Sequence, residues 1–209
     1  MWTQIRPVKI RVWFPPGDPV ATSVARLCIL REDLWLELYG AAASSIPKLD
    51  DNTEGYRRLY FWRNHLRTIE EARRALNRLN ANTAFRNALS AEPRVWAAFQ
   101  SATKRLNKAS DSFLRTFRNY VGGHVDEPAL QAALDNMDHR SQGYMQSGDI
   151  LEKRHYRFAD LLLLGALEQS AGHPTDLNRL VQESLEVVSE VMGILDDVIS
   201  CYFAERRIM

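Results

Sequence analysis

Arg118, Asn119 and His124 are the side chains of this 209-residue chain whose types and spacing best suit chemistry. Histidine both takes and gives a proton near neutral pH. Arginine stays charged and grips a phosphate through two parallel N–H bonds. Together they suit acid–base chemistry at a phosphate group, with Asn119 available to orient either partner. All three fall in the run from Phe113 to Asp126, where an apolar-faced helix is expected to end at Gly122-Gly123. Glycine is the residue that leads a chain out of a helix most cheaply. The same placement has a structural alternative, in which Arg118 and His124 cap the last carbonyls of the helix, where its dipole favours cations.

The elements that must position these residues are helical. Asp18-Pro19 is a side-chain cap followed by proline at the first helical position. From there Val20, Val24, Leu27, Cys28, Leu34, Trp35 and Leu38 keep a helical stripe to about residue 43. A second helix is expected over about 53–80, with Leu59, Trp62, Leu66, Ile69, Leu76 and Leu79 on one face and mostly arginine on the other. A third starts near Pro93 and carries Val95, Trp96, Phe99, Leu106, Ala109, Phe113 and Phe117 down to the glycine pair. Asp126-Glu127-Pro128 caps a short helix to about Met137, and a loop or hairpin is expected over 139–154. An apolar helix over about 154–169 and a final one from Thr175 or Asp176 to about Ala204 complete the set. Lys9 to Phe14 alternates and is β-prone, so it predicts a short N-terminal strand or an extended arm. The expected fold class is therefore all-α, an antiparallel helical bundle of five or six helices. Residues 1–17 form the extended arm and residues 18–209 a single helical-bundle domain.

Composition excludes several function classes. The hydrophobic share of 45% with 25% charged residues is that of a globular protein, not a disordered one. No apolar run is long enough to cross a membrane, and the first six residues lack the apolar core of a signal peptide. Cys28 and Cys201 each lie in an apolar helical pattern and read as buried, reduced thiols, so a cytoplasmic location is expected. There is no phosphate-cradling glycine loop, paired-cysteine zinc spacing or His-Glu-x-x-His. Glu152 and His155 have the Glu-x-x-His spacing of a di-iron bundle, but a second copy is missing. No cofactor and no metal are expected.

The formal net charge of +1 hides an asymmetry. Between Glu54 and Arg118 there are 14 Arg or Lys against 5 acids, whereas from Asp160 onward 9 acids face only Arg179, Arg206 and Arg207. Either basic and acidic helices pack side by side, or a basic face attracts phosphate-bearing ligands.

Arg118-Asn119-x4-His124 resembles the motif of the HEPN superfamily (higher eukaryotes and prokaryotes nucleotide-binding). That motif is an arginine, a polar residue that is often asparagine, several more residues and a histidine, at the end of a long helix. Gly122-Gly123 stands where the family more often has alanine. The resemblance implies an all-α bundle, metal-independent endoribonuclease activity in defence or toxin systems, and a homodimer that joins two motifs in one cleft. Arg118, Asn119 and His124 would then be the catalytic residues and RNA the substrate. A second arginine-to-histidine spacing runs from Arg58 to His65, in mid-helix with Leu59 in the polar position. His65, His139, His155 and His173 are expected at the surface or in loops. The competing class is a non-catalytic dimerisation or partner-binding protein, with Tyr56, Tyr60, Phe61 and Trp62 beside arginines as a surface or as core.

Overall fold

A computed structural model describes residues 9–42, 51–111, 127–138, 140–142, 145–146, 155–156, 158–170 and 177–205. Among them are eight helices: α1 (Ile10–Trp13), α2 (Pro19–Ala42), α3 (Asp51–Ala81), α4 (Thr83–Ser90), α5 (Pro93–Ala109), α6 (Glu127–Asn136), α7 (Ala159–Ser170) and α8 (Leu177–Glu205). Apart from α1, a single turn, and α4, two turns, these are the six helices of the expected all-α bundle.

The start of α2 follows its sequence signal. Asp18 Oδ1 accepts from the backbone N–H groups of Val20 and Ala21 at 2.9 and 3.0 Å, which satisfies two donors that a helix start leaves unpaired. The stripes also do what their spacing predicts. Leu27 and Leu34 of α2, Leu66, Ile69, Leu76 and Leu79 of α3, Phe99 and Leu106 of α5 and Leu195 of α8 are fully buried in one continuous cluster. Each such side chain stabilises the fold by roughly 1.5–3 kcal/mol. A smaller cluster of Ala129, Ala133 and Ala166 joins α6 to α7.

Where the structure departs from the sequence reading, tertiary contacts are the reason. Residues 10–13 are a helical turn and not the expected strand or extended arm. Tyr202 O–H donates to the Trp13 carbonyl at 2.5 Å, Phe14 stacks on Tyr202, and the edge of Trp13 meets Phe203 at 4.8 Å. Docking of those rings outweighs the weak β preference of the segment. Helix α4 has no counterpart in the sequence reading. It is held by Asn82, whose side chain accepts from Phe85 N–H at 3.0 Å, and by burial of Phe85 and Leu89 alone. Helix α7 begins at Ala159, later than expected, because His155–Tyr156 (β2) pairs antiparallel with Met145–Gln146 (β1). Trp35 leaves the α2 core stripe and is exposed. Cys28 and Cys201 are half-buried where full burial was expected.

Gly40 sets the closeness of α2 and α3. A Cβ built there would lie 2.7 Å from the Phe61 ring, whereas at Gly193 in α8 it would meet nothing within 4 Å. Gly40→Ala gains about 1 kcal/mol of helix propensity but incurs overpacking of roughly 1–3 kcal/mol. A net loss of about 1 kcal/mol is expected. Gly193→Ala keeps its gain of up to about 1 kcal/mol. Urea midpoints of the two variants should therefore move in opposite directions, and a rise in both would contradict the close approach at Gly40.

Candidate functional site

Arg118, Asn119 and His124 lie outside the described residues, as do residues 112–126 as a whole. The described structure supplies the frame on either side of them, and the fate of the second arginine-to-histidine pair.

That second pair is dismantled by the fold. Arg58 is exposed and its Nε meets Glu54 Oε1 at 3.2 Å. His65, expected at the surface, is 2% exposed, and both of its ring nitrogens are sealed from water without a hydrogen-bond partner. It faces Glu37 of α2, with Nδ1 and Oε2 3.6 Å apart. The other oxygen of Glu37 accepts from Thr68 O–H at 2.8 Å. A buried imidazole with no route to solvent cannot take a proton from a dissolved substrate, so His65 is part of the α2–α3 interior. Spacing puts His65 on the apolar face of α3, three residues after Trp62 and four before Ile69, and the packing of α2 completes its burial.

The described helix that precedes the Arg118 motif in the chain is α5, and polar contacts anchor its end. Glu70 of α3 is 1% exposed. Its carboxylate accepts two bonds from Arg73 at 2.8 Å each, one from Arg74 at 3.2 Å and one from Ser110 O–H at 3.0 Å. Burial pushes the Glu70 carboxyl up, and the hydrogen bond and charge of Arg73, with the bonds from Ser110 and Arg74, outweigh that and hold it below its ordinary value. Arg73 also donates to the Asn107 side chain at 2.9 Å. On its other side α5 reaches α8, where Arg105 meets Glu190 at 2.6 Å and Glu186 at 3.5 Å. The residues just before the motif segment, Arg105 to Ser110, are thus pinned by α3 and α8 together. Beyond Ala109 the chain continues through Ser110 and Asp111 as a wider, π-type turn. The sequence carried a signal for this anchor in Glu70-Glu71-x-Arg73-Arg74, whose i, i+3 and i, i+4 spacings bring opposite charges together on a helix.

The basic half of the chain divides the same way. Glu54 holds Arg57 and Arg58, Glu70 holds Arg73 and Arg74, and Glu71 holds Arg26 and Arg74. The hydrogen bond from Arg57 keeps Glu54 at about 2. Side-by-side neutralisation of basic and acidic helices occurs at Arg105 and at Arg31, which meets Asp196 at 3.0 Å. Arg67, Arg78, Arg94, Lys104 and Lys108 are exposed and make no ion pair among the described residues.

No family model, curated protein or solved structure matches this chain.

Among the described residues no three His, Cys, Asp or Glu side chains come together in a way that could hold a metal ion. No described helix is long and apolar enough to cross a membrane. The aromatic group proposed as surface or core is split. Trp62 is buried and donates from Nε1 to Ser184 Oγ at 3.0 Å, whereas Tyr56 and Tyr60 are exposed.

Proposed function

We propose that this chain is an HEPN-like helical protein that cleaves RNA without a metal, with His124 as proton acceptor, Arg118 at the phosphate and Asn119 orienting them. The observation that carries this reading is the Arg118-Asn119-x4-His124 motif, whose arginine comes nine residues after Ala109, the last residue of the anchored helix α5. Sealing of His65 leaves it as the arginine-to-histidine pair available for this chemistry. In the reaction, His124 removes the proton of a ribose 2′-hydroxyl, whose oxygen attacks the adjacent phosphorus. The P–O5′ bond breaks, giving a 2′,3′-cyclic phosphate and a 5′-hydroxyl that takes up the proton. Arg118 neutralises the charge that gathers on the phosphoryl oxygens. Cleavage of a mixed RNA pool should persist in EDTA. Activity lost in EDTA and restored by Mg²⁺ would overturn the metal-independent mechanism.

A second reading, a non-catalytic dimerisation protein, draws support from one face of α2. Ile29, Trp35, Leu36 and Tyr39 are 63, 47, 60 and 63% exposed and fall on one side of the helix. Large apolar side chains grouped in this way are typical of an interaction surface. Under either reading the chain is a homodimer, and light scattering should give twice the 24.0 kDa chain mass. Leu36→Asp should shift that mass toward the single chain. A parent protein that scatters as a monomer at micromolar concentration would rule out the dimer.

A further inference from the structure

The seam between α3 and α5 has a solvent edge built from amides and cations. Asn77 and Asn107 exchange side-chain hydrogen bonds at 2.8 and 3.2 Å, and Gln100 donates to Asn80 at 3.0 Å. All four amides are half-buried, so part of each faces water. Gln100, Lys104 and Lys108 recur at four-residue steps along α5, which lines them up on one side of the helix. Because Gln100 touches α3, that row borders the seam. Half-buried Trp96, one step earlier, begins the same row. Lys104 and Lys108 make no ion pair among the described residues, while the nearby acids Glu70 and Glu71 are already held by arginines.

We infer that this seam is a track for single-stranded RNA, which rests on the ribonuclease reading and adds to it the surface that holds the substrate. The two lysines contact phosphates. The amides offer donors and acceptors to base edges, and Trp96, stacked on Phe99 on one side, offers only its remaining exposed surface. A cationic groove with an aromatic platform is how proteins hold single strands. A duplex is disfavoured because the base edges in the deep major groove of A-form RNA are out of reach of such side chains.

The test uses full-length protein carrying His124→Ala, so that RNA is held and not cut, and a fluorescein-labelled oligouridine of about 16 nucleotides. Anisotropy should show binding that weakens steeply with salt. Adding Lys104→Glu and Lys108→Glu should weaken binding by ~tenfold or more and flatten the salt slope by about 1.4, or about 0.7 for each phosphate no longer neutralised. Lys9→Glu with Arg11→Glu, at the far N-terminal turn, serves as the charge-matched control and should leave the affinity unchanged. Melting temperatures confirm that all variants fold. Equal affinity with and without the lysine reversals overturns the track, as does duplex RNA or single-stranded DNA binding more tightly than the oligouridine. The underlying reading fails separately. RNA held at the seam by a wild-type protein that never cleaves supports the track and defeats the nuclease. Cleavage with KM unchanged by the lysine reversals defeats the track and leaves the nuclease standing.

Discussion

Replacing His124 with alanine is expected to abolish RNA cleavage, by on the order of 10²–10⁴-fold, the usual contribution of a positioned proton acceptor. Arg118→Ala should reduce cleavage by a similar factor, since a cation aimed at developing phosphoryl charge is among the larger catalytic contributions. Arg58→Ala should not, because Arg58 serves Glu54 and its partner in spacing, His65, is sealed inside the bundle. On the ribonuclease reading all three proteins should melt within a few degrees of the parent, as substitutions outside the core usually cost less than about 0.5 kcal/mol. The capping alternative inverts the pattern. Loss of a helix-end cap would lower stability by roughly 1–3 kcal/mol, with no activity to lose. Cleavage and melting of the same three variants separate the two, and unchanged cleavage by His124→Ala would end the ribonuclease proposal at this site.

Glu70→Ala is expected to destabilise the fold by about 3 kcal/mol, the lower end for breaking a buried ion pair by removing one partner. The lower end applies because Arg73 and Arg74 keep 21 and 39% of their side chains in contact with water. Ser110 would also lose its acceptor, so the loss reaches the end of α5. Glu71→Ala is the control. Its pairs with Arg26 and Arg74 are half-exposed, and it should cost no more than about 1 kcal/mol. The same carboxylate predicts the acid limb of stability. A carboxyl held lower in the folded than in the unfolded chain stabilises the fold above its unfolded value, and that stability is lost as pH falls through the folded one. Glu70 is held below the ordinary 4.5, and Glu54, through its bond from Arg57, at about 2. Melting temperature should therefore fall as pH drops below 4.5, and Glu70→Gln should flatten that fall. Equal acid sensitivity in parent and Glu70→Gln would remove Glu70 from the account.

The sequence by itself determined the helical class, the caps and most of the core. Helix periodicity and capping are local, so Asp18-Pro19 starts α2 and the leucines of α3 fall on one apolar face that any packing must cover. It also singled out Arg118, Asn119 and His124, by residue type, spacing and the resemblance they carry, outside what the described residues can bear on. Tertiary structure alone decided the rest. Only the packing of α2 against α3 seals His65, whose residue type led to a surface expectation, and leaves Trp35, part of the expected core stripe, exposed. Only the docking of Trp13 and Phe14 on Tyr202 and Phe203 turned a β-prone segment into a helical turn. Only the meeting of α3 and α5 gathered Glu70, Ser110 and the amide row, whose members lie as much as 40 residues apart in the chain. Local propensity is written in short windows, whereas burial and charge pairing are set by which distant side chains arrive beside a residue.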